Sequence, residues 1–203
     1  MKLDPLFSVP FWQDSYPEFN RDKKEFLDFV HSFRKQNPNG DAMSNLNGYQ
    51  SNKSIESIKS IQNNLRPVFD HVYWMTLNAC KDLDFVDCNV FFGSTWININ
   101  DNRSCSNLEH THPECTFSGV FYLKVPENSG YFYVKNTSIN DFWGGLSLNK
   151  RNNPFNSPRI GMKPSEGDIF LFPSYLPHSV SSNLHDDERI SISFNITVRP
   201  KES

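Results

Sequence analysis

"RISISFNITV", Arg189 to Val198, alternates without a break. Ile190, Ile192, Phe194, Ile196 and Val198 fall on one side of an extended chain, and Arg189, Ser191, Ser193, Asn195 and Thr197 on the other. A period of two marks a strand, and a strand with one apolar and one polar side belongs to a sheet with one face on a core. The polar side has two readings. It faces bulk water, or it lines a cavity inside a barrel. In the second, an arginine at its start is placed to hold an anion deep in that barrel.

Working outward, residues 86–92, 94–100, 107–112, 117–125, 130–135, 168–173 and 178–183 are also strand candidates. Ahead of them the pattern is helical. Phe19, Phe26, Phe29, Val30 and Phe33 recur at helical spacing, as do Ile55, Ile58, Ile61, Leu65, Phe69 and Val72 after a candidate N-cap at Ser54. Pro67 interrupts the second stripe and predicts a kink or restart near Asn64. "QNPNGDAMSNLNGYQSN" between the helices reads as a long loop. The expected architecture is mainly β with N-terminal helices, a sandwich or barrel buttressed by helical support. It is one domain over 1–203, with helices in 1–83 and the β core in 84–198. The Gly-, Asn- and Pro-rich stretch 136–166, with Trp143 and Arg159, has two readings, a decorated loop or a lid.

The chain has 203 residues, a net charge of -3 and no long run of one sign. No basic stretch marks a nucleic-acid or lipid footprint, so nucleic acid and membrane are not the expected partners. No apolar run approaches the ~20 residues of a spanning helix, and the first residues lack the layout of a signal peptide. The expected location is the cytoplasm, or a host cytoplasm for a phage protein. Cys80, Cys88, Cys105 and Cys115 form no CxxC pair and are expected to be free thiols.

The chemistry-bearing stretch is "HTHPEC", residues 110–115. His110, His112 and Glu114 are two apart and point to one side of an extended chain. Imidazole nitrogen and carboxylate oxygen suit a non-haem Fe(II), and two histidines with one carboxylate leave positions open for a cosubstrate and O2. A further ligand must come from later in the chain. His178 ends "GDIFLFPSYLPH" on a rigid apolar run, whereas His185 sits in "NLHDDE", an exposed turn. Arg189 and Ser191 follow, offering a planar fork of donors and a hydroxyl to a carboxylate.

These motifs, in this order, resemble the Fe(II)/2-oxoglutarate-dependent oxygenases, and in particular small oxygenases of bacteria and cyanophages. The resemblance rests on Trp96-Ile97-Asn98, "HTHPEC", "SGVFYL", "GDIFLFPSYLPHSV" and "RISISFN", with "SNLNGYQS" before them, and covers residues 5 to 198. It implies a double-stranded β-helix (jelly-roll, cupin-like) with iron at its open end. It implies a dioxygenase that hydroxylates its substrate and releases succinate and CO2. By the same resemblance, His178 is the distal iron ligand. Arg189 and Ser191 hold the far carboxylate of 2-oxoglutarate with help from Tyr122, and Asn98 and Asn195 line the pocket. The first-strand ligands stay open between His110 with His112, which the family pattern favours, and His112 with Glu114, which the usual carboxylate ligand favours. Cys115 stands where that pattern has Ser.

Two other classes fit part of this. A cupin-type metalloenzyme without 2-oxoglutarate needs the metal but not Arg189. A non-catalytic jelly-roll binding module needs neither, and its ligand binding is indifferent to His178. The substrate, a protein side chain or a small molecule, and the oligomeric state are not written in the sequence.

Overall fold

Two antiparallel sheets lie face to face, with three helices against the outer side of the larger one. This is a computed structural model, and it describes residues 1–4, 8–137, 153 and 155–201. In chain order the elements are β1 (Trp12–Ser15), α1 (Phe19–Gln36), β2 (Asn45–Leu46), β3 (Tyr49–Gln50), α2 (Ile55–Asn64), α3 (Arg66–Asp82), β4 (Cys88–Asn100), β5 (Ser106–His110), β6 (Phe117–Lys124), β7 (Phe132–Lys135), β8 (Arg159–Met162), β9 (Asp168–Pro173), β10 (His178–Val180) and β11 (Arg189–Pro200). The larger sheet runs β1-β9-β6-β11-β4-β3 and the smaller β2-β5-β10-β7-β8.

The helices form where their apolar stripes require. The α1 helix buries Phe19, Phe26, Val30 and Phe33. Ser54 caps α2, its hydroxyl accepting from the Ser57 N–H at 3.2 Å. Pro67 cannot donate and would collide with the preceding turn, so the stripe breaks at Leu65 and restarts as α3. The stripes meet Ile97, Phe121, Leu123, Leu171, Ile190, Ile192, Phe194 and Ile196 in the main core. A second cluster fills the space between the sheets with Val120, Tyr122, Phe132, Phe170, Phe172 and Leu176. Central strand β6 is buried along nearly its whole length because it contributes to both.

Three differences from the sequence reading concern short elements. The stretches 86–92 and 94–100 are one strand, β4, paired along its length with β11. The loop before α2 contains β2 and β3, which pair with β5 and β4. The segment ahead of the helices supplies β1, which pairs with β9. The first 83 residues therefore contribute strands to both sheets as well as helices. Of 136–166, residues 138–152 and 154 lie outside the described residues, Trp143 among them. Its end forms β8, where Arg159 lies 4.8 Å over the Tyr133 ring.

Gly119 shows how closely β6 packs. A Cβ there would overlap the Phe194 ring and lie 2.7 Å from the Phe170 carbonyl oxygen. Gly119→Ala is expected to cost about 1–3 kcal/mol, the scale of overpacking in a filled core. Urea unfolding checks this, and a midpoint equal to wild type would show that Phe194 yields freely.

Candidate active site

Strands β5 and β10 are neighbours in the smaller sheet, with His178 directly opposite His110. His112 lies two residues past the end of β5, and its backbone N–H donates to the Ser174 carbonyl at 2.9 Å. Ser174 N–H in turn donates to Thr116 O at 3.1 Å, and the Ser174 hydroxyl donates to Cys115 O. These bonds fix the segment after β5 against the turn before β10. Ligand atoms of His110, His112 and His178 all come within 4.8 Å of one another. Ring centres are 4.8 Å apart for His110–His112, 4.4 Å for His110–His178 and 5.2 Å for His112–His178.

Two of these rings are oriented by the same device. His110 Nδ1 lies 2.7 Å from Leu108 O, and His178 Nδ1 lies 2.9 Å from Leu176 O. A carbonyl only accepts, so Nδ1 carries the proton and Nε2 keeps its lone pair for a metal. Burial then keeps the rings neutral. It lowers the His112 pKa to about 3, with the charges of His178, His110 and Lys53 adding to the effect. It lowers His178 to about 4, with His110 adding to it, and it lowers His110 in the same sense. His178 is further packed against Phe172 and Phe132, with ring centres 4.8 and 5.5 Å away.

Glu114 does not join this cluster. It is exposed, with a left-handed φ of 77°, in the turn between β5 and β6. The two-residue period that aligned it with His112 holds only in extended chain, and β5 ends at His110. His185 is also apart, its Nδ1 accepting from Asp187 N–H at 2.9 Å.

Arg189, Ser191, Ser193, Asn98 and Tyr122 line the same cavity as the three histidines. Arg189, Ser191 and Ser193 on the polar side of β11 therefore line a cavity, while Ile190, Ile192, Phe194 and Ile196 pack into the main core. Arg189 is 3% exposed. It donates to Ser129 O at 3.2 Å and sits 5.3 Å over the Tyr122 ring, making no well-formed bond to that hydroxyl. Among the described residues no carboxylate pairs with it. Burial lowers its pKa and raises that of Tyr122. The Tyr122 hydroxyl, Asn98 Oδ1 and Ser129 Oγ are buried without hydrogen-bond partners.

A buried guanidinium beside a buried hydroxyl, neither fully satisfied, is costly unless an anion completes it. A carboxylate fits that recess. Asn98 Nδ2 donates to Ser193 Oγ at 3.0 Å. With the amide turned over, Ser193 can donate instead, leaving the NH2 for the cavity. The residues present thus fit both groups that the motifs imply, a divalent metal at three neutral imidazoles and a dicarboxylate reaching inward to Arg189.

Asn195 is one step removed, its Oδ1 accepting from Ser118 Oγ at 2.9 Å. Two supporting residues escaped the sequence reading. Ser129 supplies the carbonyl under Arg189. Buried Asn183 donates to Asn100 O at 3.0 Å and to Asp187 O at 3.2 Å, holding the turn that delivers Arg189. Neither carries a motif. Ser193 was legible from the parity of "RISISFN".

The family model described as "Putative 2OG-Fe(II) oxygenase" matches residues 94–195, just over half of the chain, with His110, His112, His178 and Arg189 inside the match. The chain belongs to the 2OG-Fe(II) oxygenase family. It is an enzyme that uses Fe(II) and 2-oxoglutarate with O2. No curated protein matches it. Solved structures share its fold at low identity. A prolyl hydroxylase of Trichoplax adhaerens, in complex with a hypoxia-inducible-factor peptide fragment, is 12% identical with a TM-score of 0.63, over 95% of this chain and 85% of its own. The epimerase SnoN, in complex with Fe3+, alpha-ketoglutarate and nogalamycin RO, is 12% identical with a TM-score of 0.58, over 96% and 82%. A 2OG-Fe(II) oxygenase of Burkholderia pseudomallei is 18% identical over 54% of this chain, which spans 45% of that protein, with a TM-score of 0.41. The two longer likenesses and the two-sheet topology agree on the double-stranded β-helix.

Proposed function

We propose that this 2OG-Fe(II) oxygenase hydroxylates its substrate at an iron held by His110, His112 and His178, while Arg189 holds the far carboxylate of 2-oxoglutarate. The observation that carries this reading is the buried, carboxylate-free Arg189 in the same cavity as three neutral histidines. Ser191 and Tyr122 are the supporting hydroxyls, and Asn98 lines the same recess. Iron with 2-oxoglutarate and O2 supplies the oxidising chemistry, 2-oxoglutarate leaving as succinate and CO2. The chain's own contribution is to bind and orient. Leu108 and Leu176 carbonyls aim two imidazoles, and Phe132, Phe172 and Tyr122 wall the cavity against water. A cupin-type enzyme without 2-oxoglutarate would have no use for the Arg189 recess.

The structural neighbours support a peptide or a small molecule as substrate, since one is complexed with a peptide fragment and another with nogalamycin RO. No helix among the described residues is long and apolar enough to cross a membrane. With four free cysteines, the cytoplasm of a bacterium or of a phage-infected host is the location we assign. The activity test is release of CO2 from carboxyl-labelled 2-oxoglutarate. Release is expected to require both Fe(II) and O2 and to yield equimolar succinate. Absence of any iron-dependent release from metal-loaded protein would overturn the reading.

A further inference from the structure

Resting on that reading of the site, we propose that the substrate is anionic and that Lys53 is its anchor, holding a carboxylate or phosphate at the mouth of the metal cavity. Lys53 lies two residues before the first turn of α2. Its ammonium sits 4.1 Å over the centre of the Trp96 ring, and Trp96 in turn lies 5.5 Å from His112 and lines the cavity. The side chain therefore borders the metal cluster through a single aromatic ring.

Among the described residues Lys53 has no partner suited to its charge. It is half-buried, no carboxylate there forms an ion pair with it, and its ammonium stands over the indole face. Burial depresses its pKa. Asp41 opposes that, but from beyond ion-pair range, as does the nearby Cys115 sulfur. The Cys115 thiol is itself pushed up by burial and brings no charge. Glu114 is exposed and forms no ion pair with Lys53. Three other lysines that approach the sheets behave differently. Lys23, Lys124 and Lys135 each pair with a carboxylate, at 2.6, 2.8 and 3.0 Å.

Charge at the site points the same way. Three neutral imidazoles with no carboxylate ligand leave a divalent metal its full charge. A dianionic cosubstrate, with one carboxylate on Arg189 and the other at the metal, leaves one positive charge at the metal and that of Lys53 uncompensated. A cavity with that balance favours an anionic second ligand and disfavours a cationic one. The indole platform strengthens the choice, because a cation over a ring face is held in place and still has donors to offer.

The test uses protein loaded with Mn(II) and saturated with 2-oxoglutarate, so that no turnover is needed. Metal occupancy is first established from water-proton relaxation. Inorganic phosphate is then titrated in and its phosphorus relaxation followed, with carboxyl-labelled acetate as a parallel probe. Wild type is expected to give a saturable paramagnetic enhancement. Lys53→Arg should retain it, and Lys53→Met, which keeps the packing on Trp96, should weaken binding about ten-fold or more, the scale of one charge-assisted contact. Enhancement by phosphate alone identifies a phosphate substrate, and enhancement by acetate alone a carboxylate. No saturable effect in loaded wild type, or an equal effect in Lys53→Met, overturns the anchor, the latter because the anion then ligates the metal itself. Failure of Mn(II) to bind at the first step removes the metal-site reading and the anchor with it.

Discussion

Arg189→Met is expected to weaken 2-oxoglutarate binding severely and, at the same time, to raise the melting temperature of the metal-free and cosubstrate-free protein. The two effects share one cause. Arg189 is 3% exposed and donates to the Ser129 carbonyl, and no described carboxylate meets it. In the free protein it is a buried charge held without its counter-ion, as its depressed pKa reflects. Replacing such a charge with an apolar side chain of similar length ranges from neutral to stabilising by about 1–4 kcal/mol. With cosubstrate present the sign reverses. Removing one member of a buried, hydrogen-bonded charge pair costs about 2–5 kcal/mol, roughly thirty-fold to several thousand-fold in affinity. Anaerobic titration of the Fe(II) protein, followed by visible absorbance, measures the loss, and thermal melting of the apo variant measures the gain. Lys at this position should fall between, because a point charge lacks the fork that matches a carboxylate. Tight binding in Arg189→Met would show that the cosubstrate's far carboxylate lies elsewhere.

How much of this was legible depends on whether a feature lives in one strand or between strands. The β11 pattern was readable in full. Parity alone placed Ile190 to Ile196 on one side and Arg189, Ser191 and Ser193 on the other, and two register shifts along β11 did not disturb it; that the polar side lines a cavity and not bulk water took the second sheet to decide. The break at Leu65 was readable because Pro67 acts locally. Strands β1, β2 and β3 were not. They are two to four residues long, too short for a period, and exist because β9, β5 and β4 offer them partners. Tertiary pairing overrides local preference in such segments. The opposition of His178 to His110 was invisible for the same reason, since register between distant strands is a property of the sheet. Glu114 shows the converse failure. A spacing rule that is sound within a strand was carried past the strand's end, into a turn with a left-handed residue.

That distinction sets the second large effect. Metal affinity, measured by anaerobic equilibrium dialysis with Fe(II), is expected to fall more than about 100-fold in His178→Ala and to be unchanged in Glu114→Gln. Loss of a residue that merely orients a ligand costs about 10–100-fold, and loss of one of three ligands must exceed that. His178 is opposite His110 and has its Nδ1 held by Leu176 O, so its Nε2 is directed before any metal arrives. Truncating it also leaves a gap beside Phe132 and Phe172, costing about 2–5 kcal/mol by analogy with other large-to-small core changes. His110→Ala therefore serves as a second variant, because His110 is less buried and its removal tests the same cluster with less damage to packing. Its affinity should drop as steeply while its urea midpoint stays nearer wild type. Glu114 lies on an exposed turn outside the histidine cluster, and its amide should change nothing at the metal. A steep loss in Glu114→Gln with His110→Ala unaffected would exchange the two residues and restore a carboxylate to the ligand set. It would also remove the excess positive charge from which an anionic substrate follows. The dialysis therefore decides two claims at once, the identity of the third ligand and the charge that the substrate has to match.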